Sequence, residues 1–286
     1  MDRKIAIVTG ANSGFGLLSS IELALQGYHV LATMRDTKKA EELLKLAKLR
    51  GVGTYITIMS LDVTSEESIE SFKGTLTQQY VSIDLLLNNA GYALGGFAEE
   101  VSMAEYREQF ETNVFGVMAV TQVVLPLLRK QGKGKIINMS SISGRFGFPG
   151  LSPYVSSKHA LEGYSESLRL ELKPFGVDVF LIEPGSYQTN IWTTGMKVAS
   201  RSLEKESPYY TYMKKIKSEM EKGQVRLGNP EDISELIGDI ASGRITEFRN
   251  PAGGGTRLTI LLKSILPWSL IEKIVLKKLR YHSPKK

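Results

Sequence analysis

Tyr154 and Lys158 stand four residues apart, and on a helix that spacing puts two side chains on one face, a turn apart. A phenol with an ordinary pKa of about 10 is a poor base at neutral pH. An adjacent ammonium favours its ionised form and makes it a usable acid/base. Thirteen positions before the tyrosine stands Ser141, flanked by Ser140 and Ser143; a hydroxyl can donate to an oxygen on which negative charge develops. Asn113 is an amide within an apolar helical stretch, able to hold water without ionising. Taken singly, each has a plain structural reading: a surface Tyr–Lys pair, turn serines, a tolerated polar residue in an apolar helix. Their conjunction points to catalysis.

A second set of residues suits phosphate. Thr9, Gly10, Ala11, Asn12, Ser13, Gly14, Phe15 and Gly16 follow a short apolar run and open an amphipathic pattern that predicts a helix beginning near Leu17. Glycines allow a tight turn and close backbone approach to a pyrophosphate, while the helix N-terminus presents free amides and the positive end of its dipole. The end of the next apolar run carries Met34 and then Arg35, where an acidic residue would repel a 2′-phosphate and a guanidinium can pair with one. Asp36 reads as the cap of a helix starting near Thr37. Thr64 with Glu67, and Ser102 with Glu105, have capping-box spacing. That reading leaves Asp62 free for a ligand.

These residues need a scaffold that presents them together. Ile5 to Val8, Val30 to Thr33, Tyr55 to Leu61, Asp84 to Leu87, Lys135 to Met139 and Val177 to Glu183 read as strands separated by helical patterns. Continuous apolar runs of this kind are buried on both faces, so the alternation predicts an α/β fold: a doubly wound parallel sheet, the Rossmann fold. Pro230 sits where an N1 proline belongs. One domain over 1–286 is expected, with a substrate loop or lid at 186–222 and a basic amphipathic extension at 257–286. Ligands of open α/β sheets lie beyond the carboxyl ends of the strands, which puts that loop over the reacting atoms. It contains Tyr187, Trp192, Met196, Tyr209, Tyr210, Tyr212 and Met213, suited either to an apolar substrate or to packing the lid onto the body.

In register, these motifs resemble the short-chain dehydrogenase/reductase family: Thr9-Gly10-x-x-x-Gly14-x-Gly16, Asp62-Val63, Asn88-Asn89-Ala90-Gly91, Asn113, Ser141, Tyr154-x-x-x-Lys158, and Pro184-Gly185 with Thr189. The resemblance covers residues 1 to about 243. It implies hydride transfer between a nicotinamide cofactor and a carbonyl or alcohol carbon. Tyr154 would be the acid/base, Ser141 the donor to the reacting oxygen, Lys158 the ligand of the nicotinamide ribose, and Asn113 the anchor of a water in a proton relay. Lys158 and the positively charged oxidised nicotinamide would together favour the ionised phenol. Gly10, Asn12, Ser13, Gly14, Phe15, Gly16, Arg35, Asp62, Val63, Asn89, Ala90, Gly91, Pro184, Gly185 and Thr189 would line the cofactor. Met34 and Arg35 favour NADP(H) over NAD(H). The Thr33-Met34-Arg35-Asp36 segment and the extended C-terminus look most like the retinol and hydroxysteroid dehydrogenase branch, which implies a lipophilic carbonyl or alcohol. Family members commonly form homodimers or homotetramers through the helices carrying Asn113 and Tyr154.

Composition narrows the alternatives. The 286 residues include no cysteine, which excludes disulfides and thiolate metal sites and permits a reducing, cytoplasmic setting. Three scattered histidines argue against a histidine-rich metal site. The apolar run at the N-terminus is too short for a secretory signal. Of the net charge of +6, the segment from Arg257 carries +7, leaving the rest at −1; that distribution gives no nucleic-acid footprint. Leu270, Ile271, Ile274, Val275 and Leu279 at helical spacing, with Lys273, Lys277, Lys278 and Arg280 between them, form a basic amphipathic helix. Docking on protein is the preferred reading and a membrane surface the alternative. A non-catalytic NADP(H) sensor and a membrane-binding protein with a vestigial site compete with the enzyme, but both conflict with the intact Ser141, Tyr154 and Lys158.

Overall fold

The strands, in chain order, are β1 (Lys4–Thr9), β2 (Tyr28–Met34), β3 (Ile56–Ser60), β4 (Leu85–Asn88), β5 (Ala93–Gly95), β6 (Gly134–Met139), β7 (Val177–Pro184), β8 (Met196–Val198) and β9 (Arg249–Ala252). Seven of them form a parallel sheet in the order β3-β2-β1-β4-β6-β7-β9, and β5 pairs with β8 in a separate parallel ribbon. The computed structural model describes residues 3–188, 195–223 and 227–278. All six expected strands are present. The unforeseen one in the main sheet, β9, has the sequence Arg-Asn-Pro-Ala, which lacks the β-branched pattern of a strand. Its proline is tolerated because β9 is the sheet edge.

The helices are α1 (Gly14–Leu25), α2 (Glu41–Leu49), α3 (Glu66–Gln79), α4 (Met103–Phe110), α5 (Gly116–Gln131), α6 (Ser152–Leu172), α7 (Tyr210–Gly223), α8 (Pro230–Ser242), α9 (Thr256–Ile265) and α10 (Trp268–Lys278). Alternation along the strands builds two cores. Ala6, Val8, Val30, Leu87 and Ile182 pack beneath α1, α2 and α8, while Ile7, Leu31, Leu86, Ile136 and Val179 pack beneath α3, α5 and α6. Residues 103–131 are long and apolar enough to cross a membrane, but half of that apolar window is buried. Val120, Val124 and Leu128 lie in the second core, so the segment serves as a core helix.

Two helix starts differ from expectation. α1 begins at Gly14, not near Leu17, because the turn residues themselves enter the helix. α3 is capped by Ser65, whose side chain accepts from the Ser68 amide. Thr64 is unavailable as a cap: its amide and hydroxyl both donate to Asp62 Oδ1, at 3.0 and 2.8 Å. The Ser102–Glu105 capping box and Pro230 behind its Asn229 cap are as expected.

Candidate active site

The glycine turn is held from below by the end of β4. Thr9 Oγ1 accepts from the amides of Asn89 (2.9 Å) and Ala90 (3.0 Å), and Asn89 Nδ2 donates to the carbonyls of Thr9 (2.9 Å) and Gly10 (3.1 Å). A Cβ at Gly16 would fall 2.4 Å from both Asn89 Nδ2 and the Gly10 carbonyl, so no side chain fits there. The Asn89 carboxamide therefore braces the turn. Gly10 and Gly14 have φ of 65° and 53°, a region that favours glycine. Ser13 makes no side-chain cap to α1, so the amides of the first turn stay available to an anion.

Three further residues expected to meet the cofactor, Arg35, Asp62 and Val63, follow the ends of β2 and β3. Thr9 is in register with Thr33, which sets Arg35, exposed two residues on, at the same edge of the sheet as the turn. Met34 is buried beneath it, and Asp36 caps the following turn by accepting from the Lys38 amide. Asp62 is not the free carboxylate that was expected: one oxygen is engaged by Thr64. Val63 packs tightly against Gly116, where an added Cβ would meet its Cγ2 at 2.8 Å. Across the site, the Gly185 amide donates to the Ala252 carbonyl at 2.9 Å, tying the Pro184-Gly185 turn to β9. Thr189 and Trp192 lie outside the described residues.

The catalytic candidates converge where β6 and β7 end. Tyr154 and Lys158, on the first turns of α6, are 3% and 7% exposed. Ser141 hydrogen-bonds Tyr154 and accepts from the Ser143 amide at 3.1 Å. Ser140 turns the other way and donates to Glu162, so of the adjacent serines only Ser141 meets the phenol. Lys158 Nζ donates to the Met139 carbonyl at 2.7 Å and lies 5.8 Å from the centre of the Tyr154 ring. Burial pushes the Tyr154 phenol up to about 12, opposed by the Ser141 hydrogen bond. Burial also lowers Lys158 to about 8, opposed by Glu162. Among the protein groups alone, desolvation wins.

Asn113 sits in a π-turn, Glu111–Phe115, between α4 and α5. Its Oδ1 accepts from the Tyr92 amide (3.1 Å), and its Nδ2 donates to the Tyr92 carbonyl (3.0 Å) and Ser157 Oγ (3.2 Å). Both amide hydrogens are committed, so the side chain ties Tyr92, just before β5, to Ser157 of α6.

The sequence reading missed the charged cluster behind Lys158. Glu162 follows Lys158 by one helical turn and binds Arg249 of β9; Arg249 also binds Glu183 of β7 at 2.8 Å and Glu166. Arg145 adds a second cation on Glu183 at 3.1 Å. Burial raises the Glu162 pKa, with its bond to Ser140 and the charge of Arg249 opposing. The visible signal was the four-residue series Tyr154, Lys158, Glu162, Glu166 on one helix face.

The described aromatics of the 186–222 loop mostly anchor. Tyr187 is buried edge-on against Phe15. Tyr209 stacks on Phe97 at 4.4 Å and donates to Glu99, Tyr212 leans on the same ring, and Met196 lies in β8, paired to Ala93. Phe97, which follows β5, is the unforeseen platform.

With this geometry in view, residues 4–198 match the family model described as short chain dehydrogenase, and the chain belongs to that family. It is an oxidoreductase with a nucleotide-binding Rossmann fold. It is 54% identical over 280 residues, 98% of this chain and 99% of the other, to the uncharacterized oxidoreductase YusZ of Bacillus subtilis (strain 168). Retinol dehydrogenase 8 of Homo sapiens is 36% identical over 189 residues, 65% of this chain and 60% of that one, so the family resemblance extends to the retinol dehydrogenase branch. Among solved structures, a variant of actinorhodin polyketide ketoreductase with NADPH superposes with a TM-score of 0.75 at 28% identity, covering 89% of this chain and 97% of that one.

Proposed function

We propose that the chain is an NADP(H)-dependent dehydrogenase/reductase acting on the carbonyl or alcohol carbon of a small lipophilic molecule, with Tyr154 as acid/base. The observation that carries this reading is the buried Tyr154 with the Ser141 hydroxyl beside its phenol and Lys158 one turn along α6. The uncapped first turn of α1 and the exposed Arg35 fit a dinucleotide bearing a 2′-phosphate. In that fit the amides from Gly10 to Gly16 hold the pyrophosphate, Arg35 the 2′-phosphate, Asp62 and Val63 flank the adenine, and Ala90 and Gly91 line the ribose side. Lys158 holds the nicotinamide ribose, and Pro184 and Gly185 border the nicotinamide, with Thr189 assigned by family resemblance.

When bound, the nicotinamide supplies or accepts the hydride at the substrate carbon. The protein handles the proton. In reduction the Tyr154 hydroxyl gives its proton to the carbonyl oxygen while Ser141 donates a hydrogen bond to that oxygen as charge builds. In oxidation the Tyr154 phenolate takes the alcohol proton, and the Lys158 ammonium stabilises that phenolate. Retinol dehydrogenase 8 among the relatives supports a lipophilic substrate. A cytoplasmic setting, and a homodimer or homotetramer built on the helices around Asn113 and Tyr154, belong to the same proposal.

The test is titration with NADPH and NADH, followed by turnover of each against aldehydes, ketones, retinoids and steroids. Turnover of an apolar carbonyl with NADPH is expected. Tight NADPH binding with no turnover across the panel would sink the enzyme reading and favour a regulatory NADP(H)-binding protein.

A further inference from the structure

The C-terminal helices expose an apolar face. On α9, Leu258, Leu261, Leu262 and Ile265 recur at positions i, i+3, i+4 and i+7 and are all exposed; Trp268, Leu270 and Ile274 extend the exposure along α10. Ile265 and Trp268 are 64% and 60% exposed. The pair is not adrift from the body. Ile271 is buried, Val275 lines a groove with Phe146, Phe148 and Pro149, and Lys263 Nζ donates to the Arg145 carbonyl. The exposed stripe is therefore what remains after docking on the chain's own body, and a stripe of this density marks an interaction site.

The charges around the stripe select its partner. Arg257, Lys263, Lys273 and Lys277 lie on these two helices, Glu272 is the one acidic residue from Arg257 onward, and that whole segment carries +7 against −1 for the rest of the chain. A second copy packed symmetrically on this face would bring two +7 segments together. An anionic bilayer surface satisfies both features at once: acyl chains take the leucines and isoleucines, headgroups take the lysines and arginines, and a tryptophan suits the boundary between them.

We propose that α9 and α10 form a docking surface for a bilayer carrying anionic headgroups, lying in the interface plane with the apolar stripe inserted and the catalytic fold held above it. The proposal rests on the surface alone and holds whatever the reaction. The test is flotation of the full-length protein with vesicles of phosphatidylcholine alone and with phosphatidylglycerol mixed in. Bound protein should be about tenfold higher on the anionic vesicles and should fall with added salt. The doubles Leu261→Asp with Ile265→Asp, and Lys273→Glu with Lys277→Glu, change exposed side chains. Each should cut vesicle binding about tenfold while circular dichroism and NADPH titration stay unchanged. Absence of wild-type flotation, or flotation untouched by either double variant, overturns the proposal. So does a dimer in size-exclusion chromatography that the first double disperses without any lipid binding, since the stripe would then belong to a second copy.

Discussion

Desolvation drives the two titratable groups of the site in opposite directions, each toward its neutral form: Tyr154 up to about 12 and Lys158 down to about 8. For Lys158 the consequence for stability has a definite sign. Unfolded, a lysine titrates at about 10.4, so between about pH 8 and 10.4 the folded chain binds fewer protons than the unfolded one and stability rises with pH. Urea unfolding of the wild type and Lys158→Met should show the wild type gaining stability relative to the variant across that window; a constant difference would contradict it. Tyr154→Phe should keep NADPH affinity while turnover falls by about a hundredfold or more, the scale of a lost acid/base group. Arg35→Ala should weaken NADPH about tenfold, with NADH little changed, as expected for one charged hydrogen bond. Equal weakening of both cofactors would remove Arg35 from the phosphate site.

Among the elements, the glycine turn depends on β4 as much as on its own sequence. Gly16 could be read as room for a pyrophosphate, yet the atoms it must clear are Asn89 Nδ2 and the Gly10 carbonyl. Gly16→Ala should therefore destabilise the protein by about 1–3 kcal/mol, as overpacking does, and thermal unfolding without added cofactor checks it. An unchanged melting temperature would mean that the turn has room to shift. The cap of α3 shows how such local readings slip by one residue. Thr64 and Ser65 are both good caps, and the choice between them fell to Asp62, whose carboxylate captured Thr64.

For the molecule as a whole, Arg249 joins three elements distant in sequence: its own edge strand β9, Glu183 on β7, and Glu162 and Glu166 on α6. Glu183 is fully buried and Glu162 nearly so. Removing the cation leaves Glu162 buried without a cation and Glu183 with Arg145 alone, a change that costs about 3–5 kcal/mol. Arg249→Met should lower the free energy of unfolding by that amount in urea. A loss within the range of an ordinary surface substitution would show that the carboxylates find other partners or take up protons. Because Glu162 stands one turn from Lys158, this cluster also connects the sheet edge to the helix that carries the site.

The sequence by itself determined the α/β alternation, the glycine turn and the pairing of Tyr154 with Lys158, and the family resemblance singled out Ser141 over Ser140. The first three rest on short-range periodicity and spacing, which local backbone geometry enforces. Tertiary structure alone decided that Asn113 and Asn89 are braces, since hydrogen-bond partners 21 and about 80 residues away cannot be read from a local pattern. It also decided that Arg249-Asn-Pro-Ala is a strand: an edge strand draws its hydrogen bonds from β7 and needs no β-forming side chains of its own. The pKa directions were likewise its work, because burial is a property of the whole packed chain. In the C-terminal helices, amphipathicity was legible from spacing, but only the packed body showed which residues were left facing outward.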